Sequence, residues 1–341
     1  MTVYNKRGET REVTLRLARP EDVPDIITLI IKQHGNYYPY VDLYSMDFVR
    51  WVIEKEDMYI IVAELADGML AGMTGANSKS QFAGTLEWIM LTIRPSCRGF
   101  SMGKLLISFL HQILPAERYA GIYGHCMSLD TASQGIVAGL GHRITGAFLN
   151  SYRVDTHAEN FTGLDLPFKH NLIVTCLPGN KKDAGPVYAP PVHAGYIKGV
   201  YDSLGTGYTL REGEGVKPSR VSSNCTVIQK EEHRYCEFSA EEIGLDFEKT
   251  LDDTLEQYGV LEGQSFNALI NLNDPAAPWA YGLLENRGFS FAGIHALSGL
   301  REYMIAHYSP TLPVPFDRIA VLPGFAGEFA YIRKRYEERK R

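Results

Sequence analysis

Two stretches of this 341-residue chain resemble each other, and that limits the fold more than any composition figure does. From Ile122 the chain reads IYGHCMSLDTASQGIVAGLGHRITGAF, and from Asn267 it reads NALINLNDPAAPWAYGLLENRGFSFAGI. Each is an apolar strand-like run, an aspartate, a helix of small residues, a glycine that stops it, and a strand containing Ala and Gly. Such self-similarity implies one α/β unit used twice. At roughly 150 residues per domain, the length suits two units that each bury a core.

The elements around the repeat follow the same order in both halves. Val13 to Arg19 alternates as a strand and runs into Pro20-Glu21-Asp22, a proline and two acids suited to a helix's first turn. That helix ends near His34-Gly35. An aromatic segment, Asn36 to Tyr44, precedes a second helix from Met46 to Lys55. Strands over 59–64 and 69–76 flank Ala66-Asp67-Gly68, a hairpin turn signal. Thr85 to Ile93, TLEWIMLTI, is the most apolar and β-prone run. A helix over 104–114, a strand over 122–127, a helix over 131–140 and strands over 145–152 and 172–176 complete a first domain, 1–178. Residues 179–190, rich in Pro, Gly and charge, read as a linker. In the second domain, 191–341, a helix near 193–204 precedes a strand pair within 221–238, a helix over 247–258, a strand over 266–272, a helix over 275–286, strands over 289–297 and 303–307, and a basic C-terminal helix. The fold class is therefore α/β in the α+β sense.

A hydrophobic fraction of 45% with 22% charged residues describes a folded chain rather than a disordered or fibrous one. The net charge of −6 includes +4 in the tail RKRYEERKR, Arg333 to Arg341, which leaves −10 on the rest. That balance argues against nucleic acid or an anionic membrane as partner. The tail itself reads as a solvated helix end. The opening MTVYNKRGETREVTLRL has charges where a signal peptide needs an apolar run, and nowhere do 18 uncharged apolar residues follow one another. A cytoplasmic location is expected. Cys97, Cys126, Cys176, Cys225 and Cys236 form no CxxC pair, and the ten histidines lack ligand spacing, so no metal site is expected.

The sharpest local feature runs from Leu91 to Leu106: a strand end, then a loop of basic and small residues, then a helix. Such a loop aims backbone N–H groups and a helix N-terminus at one point, where an anion such as pyrophosphate is favoured. Gly99, Ser101 and Gly103 keep side chains out of the ligand's path, and Arg98 supplies positive charge. Strand alternation places Glu87, Ile89, Leu91 and Ile93 on one face. His125 and Cys126 are neighbours on a strand and so point to opposite faces, which makes Cys126 a core thiol.

This segment resembles the GNAT superfamily of acyl-CoA N-acyltransferases, whose signature Arg/Gln-x-x-Gly-x-Gly/Ala is matched by Arg98-x-x-Ser101-x-Gly103, with Ile93 and Pro95 at the strand end. Ser101 stands where the family has its first glycine, which requires a negative φ at that serine. HGNYYPYVDLY from His34, Ser133-Gln134, Tyr188-Ala-Pro-Pro-Val and Arg287-Gly-Phe-Ser-Phe-Ala-Gly-Ile are similar to a two-domain subgroup of that superfamily. The resemblance covers most of residues 13–335. It implies tandem folds, each a mixed, mostly antiparallel sheet flanked by helices, with acetyl-CoA as co-substrate. Its pyrophosphate would lie on Arg98, Gly99, Phe100, Ser101, Met102, Gly103 and Lys104, and its pantetheine arm on the backbone around Leu91 to Ile93. The resemblance further implies Glu87 as general base. Four residues of strand, roughly 13 Å, separate Glu87 from Leu91, so a water relay or a strand bulge is required. Val137 occupies the family's general-acid tyrosine position and His142 follows Gly141 in place of the customary Phe; Tyr152, Ser128 or no acid at all are the alternatives. Tyr37, Tyr38, Tyr40 and Tyr44 either line an acceptor pocket or cover the core.

The second half has no Arg-x-x-Gly-x-Gly loop; its acidic 239–246 segment would repel pyrophosphate, so that half reads as a degenerate copy. The expected activity is acetyl transfer from acetyl-CoA to a primary amine, small-molecule or peptide, by direct attack in a ternary complex. The alternative is an acetyl-CoA-binding sensor acting through a regulatory protein partner. Self-association is left open.

Overall fold

A computed structural model describes residues 1–55, 57–114, 118–153, 158–159, 169–181, 183–212, 216–259, 261–298 and 301–339. The elements are β1 (Thr2–Tyr4), β2 (Thr10–Leu17), α1 (Val23–His34), α2 (Met46–Lys55), β3 (Met58–Leu65), β4 (Leu70–Asn77), β5 (Leu86–Ile93), α3 (Met102–Ile113), β6 (Gly121–Met127), α4 (Ala132–Ala138), β7 (Arg143–Arg153) and β8 (Lys169–Pro178). There follow β9 (Asp183–Ala189), α5 (Ala194–Leu204), β10 (Gly207–Glu212), β11 (Asn224–Lys230), β12 (Tyr235–Glu242), α6 (Phe247–Tyr258), β13 (Ser265–Asn271), α7 (Ala277–Asn286), β14 (Ser290–Ser298), β15 (Arg301–Tyr308) and α8 (Ala326–Arg339). The chain is mixed α/β with a large, mostly antiparallel sheet flanked by helices.

Thirteen strands form one sheet in the order β1-β2-β3-β4-β5-β6-β8-β7-β14-β15-β13-β12-β11. Within it, β5/β6 and β12/β13 are the parallel neighbours. The segment β4-β5-β6-β8-β7 and the segment β11-β12-β13-β15-β14 share one order of connection, each with a helix after its second and third strands in sequence. The two segments meet at β7 and β14, where Gly146 pairs with Gly293. A Cβ on Gly293 would lie 2.4 Å from the Gly146 Cα, and one on Gly146 would lie 2.9 Å from the Ile294 nitrogen. Only glycines let the two backbones approach this closely, and Gly293 also takes φ +104°.

Strand alternation explains the layers. In β3, Ile60 and Val62 join a cluster with Val23, Ile26, Ile30 and Val49 of α1 and α2, while Ile61 and Ala63 join a second cluster with Leu106, Ile107 and Leu110 of α3. Helix α1 buries Val23, Ile26, Ile27, Leu29 and Ile30, the i, i+3, i+4, i+7 face that fits it to the sheet.

The stretch read as a linker differs from that expectation. Residues 183–189 form β9, which pairs in parallel with β10 in a separate two-stranded sheet. Val187 and Ala189 are buried there, so alternating apolar residues override the Pro- and Gly-rich composition. As far as Arg339 the basic tail lies in α8, where Arg333 pairs with Asp317 and Glu337, Lys334 and Arg335 with Glu338, and Arg339 with Glu285; Lys340 and Arg341 lie outside the described residues.

Candidate functional site

The two parallel strand pairs differ in how far they stay together. β12 pairs with β13 over six positions, from Tyr235↔Ser265 to Ala240↔Ile270. β5 pairs with β6 over three, Leu86↔Ile122, Glu87↔Tyr123 and Trp88↔Gly124, and then the strands part. The buried Trp88 indole lies against Gly124 at the last pair, where a Cβ would sit 2.0 Å from its Nε1. A wedge at the vertex holds the strands apart, and a cavity of about 1130 Å³ opens beyond it.

The cavity is lined from both faces of the sheet: Tyr37, Tyr38, Tyr40, Glu87 and Ile89 on the α1–α2 side, Leu91, Ile93, Gly103 and Ile136 toward α3 and α4. Strict alternation along β5 does not hold. Met90 has φ +60°, and the register slips between Met73↔Thr92 and Gly75↔Ile89, which is a bulge. Ile89 and Met90 therefore pack in the α1–α2 cluster, while Leu91 and Ile93 pack in the α3 cluster, opposite to the expected common face. The bulge shortens the reach along the strand that separated Glu87 from the groove. The Met90 N–H donates to the Tyr38 hydroxyl at 3.0 Å.

Glu87 is 6% exposed and held on three sides. The Tyr40 hydroxyl donates to Oε2, the Tyr123 hydroxyl donates to Oε2 at 3.2 Å, and His125 Nδ1 lies 3.4 Å from Oε1. His125 Nε2 is buried without a hydrogen-bond partner, although the ring lines the cavity. Burial first, and the Glu87 charge second, push the Tyr40 and Tyr123 phenols well above their ordinary range, so both remain donors. Tyr152 also lines the cavity and is likewise raised by burial and Glu87. The other candidate acid, Ser128, is buried away from the cavity lining, and its carbonyl accepts the Ala320 N–H. The Cys126 thiol, 1% exposed, is pushed up to about 12 by burial.

At the other end, the loop from Arg98 to Lys104 leads into α3. Leu105 N–H makes the first helical bond, to the Ser101 carbonyl, which leaves the N–H groups of Met102, Gly103 and Lys104 ahead of the α-helical ladder. Gly99 takes φ +87° with open space where a side chain would stand. Arg98, Gly99, Ser101, Met102, Gly103 and Lys104 all line the cavity. This donor set, with exposed Arg98 and Lys104 beside it, fits a pyrophosphate and so fits acetyl-CoA. Two residues depart from expectation. Ser101 takes φ +59°, the left-handed conformation, not the negative φ required above: a glycine-type turn is kept without the glycine. Phe100 is 3% exposed and absent from the lining; its ring joins the core beneath the Arg11 guanidinium, 5.2 Å away, because its neighbours' positive φ values turn it inward.

In the second half, N–H groups of the loop between β12 and α6 are taken up by side chains of neighbouring segments. Ile243 N–H donates to Asp274 Oδ2 at 3.0 Å and Gly244 N–H to Ser223 Oγ at 2.9 Å.

Tyr123 and Arg153 of the cavity region were not singled out from sequence, and His125 entered only as the neighbour of Cys126. Parallel pairing of 85–93 with 122–127 would have placed Tyr123 beside Glu87, and alternation then puts His125 on the same face. Among the described residues there is no cluster of three or more His, Cys, Asp or Glu placed to hold a metal, and no helix long and apolar enough to cross a membrane.

No protein-family model matches the chain, and no curated protein matches it. Among solved structures, it is similar to a GNAT superfamily phosphinothricin acetyltransferase from Sinorhizobium meliloti in complex with AcCoA, at 19% identity over 50% of this chain and 89% of that one, TM-score 0.39. It is also similar to an N-acetyltransferase from Staphylococcus aureus Mu50, at 18% identity over 49% of this chain and 98% of that one, TM-score 0.38. A variant of spermidine N-acetyltransferase SpeG from Vibrio cholerae shares 17% identity over 50% of this chain and 95% of that one, TM-score 0.39.

Proposed function

We propose that the chain is an N-acetyltransferase that moves the acetyl group of acetyl-CoA to a primary amine, with one site, in the first of two related halves, residues 1–178 and 191–341. The observation that carries this reading is the parted β5/β6 pair. It joins a loop of free N–H donors at one end of a cavity to a buried, triply held carboxylate at the other. Acetyl-CoA would supply a thioester carbonyl for the amine to attack.

The chain's own residues divide the remaining work. The N–H groups of Met102 to Lys104, with Arg98, hold the pyrophosphate, and the open edge of β5 from Leu91 to Ile93 lies along the pantetheine arm. Glu87 takes the proton of the acceptor's ammonium; a positioned base of this kind contributes about 10²–10⁴-fold. Tyr40, Tyr123 and His125 fix the Glu87 carboxylate in place. Tyr38 accepts from Met90 N–H, so its own proton is free to point into the cavity, and Tyr152 offers a second neutral phenol there as acid. β12 and β13 stay paired where β5 and β6 part, which supports a structural or regulatory role for the second half.

The test is thiol release from acetyl-CoA with a panel of primary amines, comparing the parent with Glu87→Gln. Turnover by the parent with a loss of about 100-fold or more in kcat for the variant is expected. Binding of acetyl-CoA with no thiol released by any amine would overturn transfer in favour of a sensor.

A further inference from the structure

We propose that the acceptor is an anionic amine whose acid group binds Arg153 at the Tyr37 end of the cavity while its amine reaches Glu87. The proposal rests on the transfer reading only for the fate of the amine; the anion site stands on observations of its own.

Arg153 ends β7 and lies directly opposite Lys169 of β8 in the antiparallel ladder. Like charges facing across a strand pair are destabilising unless something neutralises them. None of the described residues does so here. Arg153 is exposed, lines the cavity and makes no ion pair among the described residues; its guanidinium lies over the Tyr37 ring at 5.7 Å. The Lys169 ammonium is 3% exposed and bound only to neutral oxygens: the Arg234 carbonyl at 2.7 Å, the Gly263 carbonyl at 3.3 Å and Ser265 Oγ at 2.6 Å. Burial, with Arg153 and Arg234 beside it, lowers this lysine to about 7. Buried His233 accepts the Arg153 N–H at 3.3 Å and is depressed to about 3 by burial and by Lys230, Lys169 and Arg153.

Among the described residues Arg153, Lys169, Lys230 and Arg234 gather cationic groups from both halves of the chain at this end of the cavity, against Glu232, whose Oε1 lies 3.6 Å from His233 Nε2. The planar fork of an arginine on an aromatic face matches the two oxygens of a carboxylate or phosphate. Of the carboxylates that line the cavity, Glu87, Asp130 and Glu159, Glu87 is the buried one, and it suits an ammonium. In the ladder Glu87 faces Tyr123, then Cys176, then Arg143, whereas Arg153 faces Lys169, seven residues further along β8; three strand spacings, about 14 Å, therefore add to a displacement along the strands between two residues that line one cavity. After both side chains extend inward, the amine and the acid of the acceptor must be several bonds apart.

The experiment is calorimetric titration of the full chain, saturated with CoA, with 6-aminohexanoate, 6-aminohexyl phosphate, hexylamine and 1,6-diaminohexane. One or both anionic amines should bind at least tenfold more tightly than the other two, and whichever binds better identifies the acid group. Arg153→Gln should weaken that ligand by about 10- to 100-fold, with partial recovery in Arg153→Lys and no effect on hexylamine. Equal binding by parent and Arg153→Gln, or preference for the diamine, would overturn the proposal. Arg153-dependent binding, with no thiol released when acetyl-CoA replaces CoA and the bound amines are offered as acceptors, would keep the anion site and refute the transfer reading, so the two failures are distinguishable.

Discussion

Gly124→Ala strikes the vertex from which the cavity opens. The added Cβ would lie 2.0, 2.3 and 2.4 Å from Nε1, Cε2 and Cδ1 of Trp88, against 3.4–4 Å for ordinary contact. The indole must back off by more than 1 Å, yet it is 4% exposed and its N–H faces Thr175 Oγ1 at 3.4 Å. Overpacking of a rigid ring costs about 1–3 kcal/mol, and the depth of this overlap places it near 3. At about 2.1 cal/mol/K per residue over 341 residues, or about 1.4 °C per kcal/mol, the melting temperature should fall by about 4 °C. Trp88→Leu alone should cost about 2–4 kcal/mol through the lost ring, but in that background Gly124→Ala should cost under about 1. The double-mutant cycle, measured by urea unfolding, should therefore show coupling of about 2 kcal/mol. Additivity within about 0.5 kcal/mol would refute the wedge.

Ser101→Gly replaces a left-handed serine with the residue that adopts φ +59° freely; relieved strain of about 1 kcal/mol is partly offset by the floppier unfolded chain, so stability should be unchanged or higher by about 0.5 kcal/mol. Retained acetyl-CoA binding in a thermal-shift assay is expected, and a loss of stability above about 1 kcal/mol would contradict the backbone-only role of this position. Burial lowers His34 to about 4, His142, His170, His193 and His233 to about 3, and His295 well below its ordinary range. These rings stay neutral in the fold but charge in the unfolded chain, so their contribution is intact above pH 6.5 and is lost as pH falls toward 4. Buried Glu237 and Glu302, raised by burial, act in the opposite sense, two groups against six. Urea midpoints should therefore drop steeply between pH 6.5 and 4.5 with uptake of several protons, and a flat profile would contradict the neutral burial of these histidines.

Much of this architecture could be read from the chain because its signals are local. Alternation marked the strands, Gly35 stops α1, and α6 covers the expected 247–258, whereas α4 closes at Gly139, two residues before the Gly141 expected to end it. The basic, small-residue loop from Arg98 to Lys104 and the acid at Glu87 likewise announce themselves by type and spacing. Features that depend on distant partners did not. The Met90 bulge is a positive φ at an ordinary residue, placed where β5 has left β6 and slips register against β4, and no composition rule marks it. Gly146 and Gly293 read as minor members of two strands until the halves are joined edge to edge. Arg153 and Lys169 become informative only when the register of β7 and β8 sets them opposite each other. Phe100 shows the same limit within a motif, since its place in the loop says nothing of which way its ring turns.

The central claim is a single acetyl-CoA site in the first half, bounded by the parted β5/β6 pair and the N-terminus of α3. Calorimetric titration of the full chain with acetyl-CoA tests it directly, because it counts sites. One equivalent bound by the parent, and none by Gly103→Glu, which sets a carboxylate where the pyrophosphate would lie, is the predicted result. Two equivalents, no saturable binding, or undiminished binding by the variant would contradict it.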